Sequence, residues 1–434
     1  MNPFIYEGIS KIQMRILYVK RAYNTRLNNQ VTTLLQKGHR ITLLLDAPIV
    51  YGYNGPCQWD PRDIQSSLNV YYTSSARSHD SRHKKNSLYH FYKRAMNYRN
   101  SLLRIQSYLG IDDKRRFLRA LDRVLSMNDV DLIISGNDAL QTEDIRTRWV
   151  IENWKGKIPI VYDCQDILTD CFSGMFKVQE NERFVNEESD GVIHTNPIAL
   201  KWMTSRYRIA RSTYFPNYGC REDFQSRLPK LSKDDGLVHL VYCGSVQKTP
   251  KKYPYPFARD LKNAFREIAS LGFPLHLHLG LYPDTPEHSY YMELKNYPNI
   301  TLHRYLPFKK MMENLSRYDV GLFPVDFGSL KKQVELFGLS ILDDFALSRA
   351  DTCKQYEYTL AGLPVLTAPL KWISQWLERN NFGTSFHSAS HLYNILKGNQ
   401  MEEYADTVKR EAFKFSIEEK ISHLENFLLK ILDD

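Results

Sequence analysis

Short, uninterrupted apolar runs alternate with amphipathic stretches along the whole chain, and this alternation restricts the fold more than any other feature. An apolar run with no polar interleaving suits a strand buried on both faces, the kind found in parallel sheets covered by helices. In the first half, residues 15–19, 40–45, 131–135, 158–163, 192–195 and 212–215 read as such strands. A helix is expected over 28–37, stopped by Gly38, and an acidic one over 180–190. Residues 218–236 are polar and broken by Gly219, Pro229 and Gly236, which reads as a linker. The pattern then restarts, with strands over 239–243, 275–279, 300–303, 320–324 and 364–367. Helices over 257–270, 308–318, 354–361 and 373–379 lie between them. The expected class is α/β: two open, doubly wound units, 1–217 and 237–415, joined by the linker 218–236, with a cleft between their carboxyl edges. No short repeat is visible, so solenoids and propellers drop out.

A last helix over 416–434 is expected to pack back on the body. Ser416 and Glu419 have capping-box spacing, and Ile417, Ile421, Leu424, Leu428 and Ile431 make one apolar stripe.

At 434 residues, 43% hydrophobic and 25% charged, the chain is neither disordered nor collagen-like and has room for two or three domains. Six scattered cysteines without a C-x-x-C pair indicate neither a zinc site nor a disulfide framework. No stretch approaches the ~18 uncharged apolar residues of a membrane span. Residues 1–13 lack the apolar core of a signal peptide, so a cytoplasmic location is expected. The thirteen histidines form no H-E-x-x-H or similar set, so no catalytic metal is expected, and no G-x-S-x-G elbow is present.

The net charge is +9, and residues 77–123 alone hold 13 basic against 4 acidic residues, the same excess. A basic face seeks nucleic acid, lipid headgroups or phosphorylated substrates. Within it, residues 86–109 interleave Lys93, Arg94, Arg99 and Arg104 with Phe91, Tyr92 and Leu102. That mixture suits an interfacial segment on an anionic membrane, and equally a helix packing its apolar side while its arginines face water. No recognised nucleic-acid module appears, so nucleic acid is not expected as a partner.

The stretch that carries most chemistry is Lys354-Gln355-Tyr356-Glu357-Tyr358-Thr359-Leu360-Ala361-Gly362-Leu363-Pro364-Val365. It reads as a helix with a basic start, ended by Gly362 at C′ and restarted as a strand after Pro364. A helix N-terminus attracts anions, and Lys354 adds a full charge to the partial one. Glu357, one turn on, could accept hydrogen bonds from a diol such as a ribose; a plain i,i+3 surface pair with Lys354 is the simpler alternative.

These residues resemble the K-x-x-E-Y-x-x-x-G-x-P-V signature of GT-B fold glycosyltransferases, close to the large retaining family 4. Leu240-Val241-Tyr242-Cys243-Gly244-Ser245 resembles the strand and turn that open that family's nucleotide-binding domain. Val161-Tyr162-Asp163-Cys164-Gln165-Asp166 is similar to its V-Y-D-x-H-D stretch, and Phe215-Pro216-Asn217 to the element before its linker. The matches are collinear over nearly the whole chain. The resemblance implies two Rossmann-like domains, the first for an acceptor and the second for a nucleotide-sugar donor. It implies donor binding by Gly244, Ser245, Lys248, Lys354 and Glu357, with Lys251 behind them, and a place near the reacting sugar for Gln165 and Asp166. The nucleotide sugar is then substrate, and no cofactor is expected. The acceptor would be a glycan or lipid-linked molecule, in cell-surface polysaccharide or glycolipid synthesis. Lys93, Arg94 and Arg99 would touch that acceptor or the inner face of the membrane.

Two departures stand out. Arg349 occupies the place of the first glutamate of the family's E-x7-E pattern, and Gln165 replaces the histidine of V-Y-D-x-H-D. A glutamine can hydrogen-bond a sugar hydroxyl but cannot act as acid or base. Arg21 and Arg26, after the first strand, read as exposed loop cations or as contacts to an anion. A nucleotide-sugar 2-epimerase of the same fold and a non-catalytic nucleotide-sugar-binding protein are the rival readings.

Overall fold

The computed structural model describes residues 12–20, 23–45, 68–73, 111–136, 145–167, 176–224, 227–246, 248, 260–281, 286–304, 306–326 and 351–433. Two parallel sheets organise them. The first contains β1 (Arg15–Lys20), β2 (Arg40–Leu45), β3 (Asn69–Tyr72), β4 (Leu132–Gly136), β5 (Ile160–Cys164), β6 (Gly191–His194) and β7 (Ser212–Tyr214), in the order β3-β2-β1-β4-β5-β6-β7. The second contains β8 (Leu240–Gly244), β9 (Leu275–Leu279), β10 (Ile300–Leu302), β11 (Val320–Phe323), β12 (Val365–Thr367) and β13 (Gly383–Ser385), in the order β10-β9-β8-β11-β12-β13. The winding is the same in both: three strands run outward one way, then the chain reverses to the other side of the first. Each sheet therefore has a switch point, between β1 and β4 and between β8 and β11, where doubly wound folds open a crevice at the carboxyl edge.

The apolar runs become strands because both faces are covered. On one side of the first sheet, Ile16, Tyr18, Ile41 and Leu43 pack with Leu27, Val31 and Leu34 of the helix Thr25–Gln36. On the other, Leu17, Val19 and Ile133 meet Phe117, Leu121, Val150 and Val185. The second sheet is covered likewise by the cores around Tyr356, Tyr358 and Trp376 and around Phe265, Tyr291 and Leu392.

The C-terminal helix Ile417–Leu432 returns to the first sheet, burying the expected stripe Ile417, Ile421, Leu424, Leu428 and Ile431 in that sheet's core. Each such side chain contributes ~1.5–3 kcal/mol. Gly191 makes room for it: a Cβ there would lie 2.4 Å from Ile431 Cδ1. The expected capping box does not form, since Ser416 makes no side-chain cap and its buried Oγ has no partner among the described residues. Glu418 and Glu419 still place acidic charge in the first turn.

His276 and His278, alternating on β9, join a buried chain of imidazoles. Asp235 bonds His239 Nε2 at 3.0 Å, His239 Nδ1 bonds His276 Nε2 at 2.8 Å, and His276 Nδ1 bonds His303 Nε2 at 2.9 Å. An ionised Asp235 only accepts, so every ring in this chain donates from Nε2. His278 stacks on His303 at 4.1 Å and bonds the Tyr318 hydroxyl at 2.7 Å. Burial, with the neighbouring rings, lowers His276 to about 4 and His278 to about 3. Below the ordinary imidazole value of ~6.5 the unfolded chain binds protons that the folded chain refuses. Stability present above that pH is therefore lost as the pH falls toward about 4. His278→Phe keeps the stacked ring and removes one titrating group. Its urea midpoint should fall less steeply than the wild type's between about pH 8 and about pH 4.5; parallel profiles would show that the array does not set acid stability.

Candidate functional site

The helix Cys353–Leu360 builds the site in the second sheet. Thr352 caps it by accepting from the Lys354 backbone N–H at 3.1 Å. At the other end Gly362 takes φ +84°, and Gly362 N–H and Leu363 N–H bond the Thr359 and Tyr358 carbonyls, the Schellman ending expected from the sequence. Tyr358 anchors the helix to β8, its hydroxyl accepting from the Cys243 N–H at 2.8 Å.

So fixed, the helix sends Lys354 over the end of β8. A Cβ on Gly244 would lie 2.3 Å from Lys354 Cε and 2.9 Å from Nζ, so any other residue there would push the end of this lysine off its present path. Lys354 Nζ also stands 5.5 Å from the centre of the Phe323 ring, at the end of β11. Gly244 and Phe323 are the carboxyl ends of the two strands flanking the switch point, so the ammonium lies at that edge of the sheet. Glu357 is half-buried on the same helix. Burial pushes its carboxyl up to about 7, against the pull of Lys354, and Asp223 pushes further in the same direction. Near neutrality this carboxyl is poised between its two states. Burial and Glu357 together hold the neighbouring Cys243 as a thiol, raised to about 12.

Gly244, Lys354 and Glu357 are thus brought together. The Ser245 carbonyl accepts from the Tyr242 hydroxyl at 3.0 Å, which pins the turn leaving β8. Lys248 is exposed, its ammonium 5.2 Å from the centre of the Tyr290 ring, and no contact joins it to Lys354 among the described residues. Lys251 and Arg349, with the contact residues Lys93, Arg94 and Arg99, lie outside the described residues.

On the first sheet, Gln165 and Asp166 follow the carboxyl end of β5, both half-buried. Gln165 Oε1 accepts from Asn24 Nδ2 at 3.2 Å, and Asn24 is itself the N-cap of the helix Thr25–Gln36. The residue beneath them, Asp163, is 1% exposed and takes Lys20 Nζ at 2.9 Å and the Arg26 guanidinium at 2.8 Å. Burial would raise this carboxyl, but Arg26 and Lys20 outweigh burial and hold it well below the usual range. Arg26 is therefore not an exposed loop cation: it is 4% exposed, and its charge is needed by Asp163. Arg21 lies outside the described residues.

Two site-edge residues carry no signal in the sequence motifs. His194, at the end of β6 and paired in register with Cys164, is fully buried. Neither ring nitrogen has a partner among the described residues, and burial lowers the ring to about 4, so it is neutral. Asp351 precedes the Lys354 helix and gathers four donors, from Asn217, Gln355, Tyr356 and Trp372. Two of the donors to Asp351, Gln355 and Tyr356, are four and five residues away, but Asn217 and Trp372 are brought by the chain crossing and the tertiary fold. His194 reaches the edge through the parallel register.

No protein-family model matches the sequence, and no curated protein matches it. Solved structures do. Sucrose-phosphate synthase from Thermosynechococcus elongatus superposes with a TM-score of 0.62 at 9% identity, covering 97% of this chain and 100% of its own. HepE from Anabaena, solved with UDP and glucose, gives 0.58 at 14% identity over 96% of this chain and 100% of its own. The UDP-GlcNAc 2-epimerase of Methanocaldococcus jannaschii, solved with UDP-GlcNAc and UDP, gives 0.51 at 9% identity over 96% and 99%. Identities this low speak for architecture, and the described residues have the GT-B fold.

Proposed function

We propose that the protein is a glycosyltransferase that moves a sugar from a nucleotide-sugar donor to an acceptor hydroxyl. The observation that carries this reading is the Lys354 ammonium held over Gly244 at the second switch point, with Glu357 on the same helix. Departure of a nucleoside diphosphate builds negative charge, and a fixed cation in a crevice stabilises it without reorganising. Lys354 takes that role, and Lys248 is the second cation proposed for the diphosphate. Gly244 lets the donor approach the backbone, and Glu357 accepts from the ribose hydroxyls. Gln165 and Asp166 face the transferred sugar from the first sheet; Gln165 orients a hydroxyl and moves no proton. The nucleotide sugar is the substrate, and neither a cofactor nor a protein-bound metal takes part. HepE, solved with UDP and glucose, supports a nucleotide-sugar ligand, and WaaG, a fold neighbour of lipopolysaccharide biosynthesis at 13% identity, supports a glycan or lipid-linked acceptor.

The second reading, a nucleotide-sugar 2-epimerase, is favoured by the fold neighbours that include the Methanocaldococcus jannaschii UDP-GlcNAc 2-epimerase. An epimerase changes its substrate without any acceptor, so proton NMR of the donor incubated alone separates the two. Under the leading reading the donor stays unchanged until acceptor is added, and the product keeps the donor's anomeric configuration. An inverted product would separate the enzyme from the retaining family that its motifs resemble.

Glu357→Ala removes hydrogen bonds to a charged group, worth about 1.5–3 kcal/mol, so donor affinity should fall about 10- to 150-fold in calorimetry while the protein stays folded. Lys354→Ala should weaken the diphosphate nucleotide more than the bare nucleoside. If the ionised Glu357 binds the ribose, a group near 7 makes wild-type affinity drop about tenfold from pH 8 to pH 6. The Glu357→Ala variant should lack that dependence, and an equal slope in both proteins would remove Glu357 from the donor site.

The acceptor side is proposed to dock on an anionic membrane through the basic segment. No helix among the described residues is long and apolar enough to cross a membrane. The described end of the segment, helix Ile111–Met127, exposes Arg115, Arg116, Arg119 and Arg123. Sedimentation with vesicles should rise with anionic lipid content and weaken with salt, as the screening length falls from ~10 Å to ~3 Å between 0.1 and 1 M. Lys93→Glu/Arg94→Glu/Arg99→Glu should lose it. Equal binding to neutral vesicles would point to a soluble acceptor.

A further inference from the structure

A continuous polar path joins the carboxyl edge of the first sheet to the helix that carries Lys354 and Glu357. It starts at Asp163, between Lys20 and Arg26. The Arg26 guanidinium then reaches the crossover segment, donating to the Phe215 carbonyl at 2.6 Å and to Asn217 Oδ1 at 3.1 Å. Asn217 in turn donates its backbone N–H to Asp351 Oδ2 at 2.7 Å. The other oxygen of Asp351 accepts from Trp372 Nε1 at 2.8 Å, Gln355 Nε2 at 3.1 Å and the Tyr356 hydroxyl at 3.2 Å. An aromatic file runs beside this path: Tyr218 stands edge-on to Phe215 at 5.4 Å and to Tyr356 at 5.1 Å. The returning chain lies alongside, where Ile417 N–H bonds the Gly219 carbonyl at 2.9 Å.

We propose that Arg26, Asn217 and Asp351 form a latch across the crossover that fixes how the two carboxyl edges face each other. Given the transferase reading above, Asp351 is then a positioning residue for transfer: it touches no substrate but sets the distance between donor and acceptor. The chemistry of the path fits a latch better than plain packing. Each half of the protein has its own apolar cores, so neither half needs a carboxylate at the junction in order to fold. A half-buried carboxylate with four donors is costly to leave partly unsatisfied. Of the four, only the bond to Asn217 comes from the crossover, so a rotation that separates the halves there strains that bond. Transfer is sensitive to such a shift, since a misplacement of ~1 Å can cost about a hundredfold in rate.

Two variants test the latch. Asn217→Ala cuts the Arg26 end of the latch and keeps the backbone N–H to Asp351. Asp351→Asn keeps the shape and an oxygen for Gln355, Tyr356 and Trp372 but sets an amide NH2 against the Asn217 N–H. Both should lower kcat at least about tenfold. For Asn217→Ala, which lies outside the donor helix, the donor Kd should stay within about threefold of wild type. Small-angle X-ray scattering of the unliganded proteins should show a wider distribution of intramolecular distances in both variants. A kcat per folded molecule that is unchanged in Asn217→Ala, with only a lowered Tm, would make the contact structural and overturn the proposal. The scattering does not depend on activity: profiles identical to wild type in both variants overturn the latch even if transfer is never observed. Broadened profiles with no transfer from any nucleotide sugar would instead keep the latch and sink the transferase reading.

Discussion

Asp163 sits almost wholly out of water at the end of a central strand, where an unpaired carboxylate would be too costly to keep ionised. Lys20 and Arg26 come to it from β1 and from the first helix, and the strand between them gives way: a Cβ on Gly136 would lie 2.4 Å from Lys20 Nζ and 2.2 Å from the Asp163 carbonyl. Removing one member of such a buried group leaves an uncompensated charge and costs about 3–5 kcal/mol. Because Arg26 also bonds Phe215 and Asn217, the same cluster orients the chain as it leaves the first sheet. The register of β1, β4 and β5, the start of the first helix and the crossover all depend on one carboxylate.

The two sheets share a winding order, and each puts a lysine at its switch point, but the two lysines are in different situations. The charge of Lys20 is consumed by Asp163, deep at the junction of β1 and β4. Lys354 arrives from outside its sheet, over a glycine and beside an aromatic ring, with Glu357 on the same helix. Repetition of the fold therefore does not repeat the site. The second sheet's edge thus carries Lys354 beside Glu357, while the first sheet's edge carries Gln165, Asp166 and a neutral His194.

How much of this was legible follows from where the information resides. The buried central strands were visible because burial on both faces demands unbroken apolar runs, and the Lys354–Val365 stretch because its cap, C′ glycine and proline are local. The short strands β3 and β13 escaped: Asn69–Tyr72 is a half-buried edge and Gly383–Ser385 contains little that favours a strand. The capping box at Ser416 had the right spacing, yet the chain crossing that precedes the helix leaves its hydroxyl without a partner. Arg26 is buried because its partner Asp163 lies far away in sequence, and the place of His194 is set by the register of β6 on β5. Asp351 stands out only once Asn217 and Trp372 join its near neighbours Gln355 and Tyr356. Pairing across a parallel sheet or a crossover leaves no spacing rule behind it.

The crossover and the Lys354 helix also meet at a second point, which bears on how the two halves can move. Asp351 ties the start of the helix to Asn217, while near its end Leu360 presses on Gly219, where a Cβ would lie 2.7 Å from Leu360 Cδ1. The helix is thus gripped at both ends by the segment that joins the halves, with Lys354 and Glu357 between the grips. A ligand that pulls on those two side chains pulls on the crossover as well, since close-packed contacts transmit small displacements rather than absorb them. The segment at the junction and the wall of the candidate donor site are, in mechanical terms, one piece.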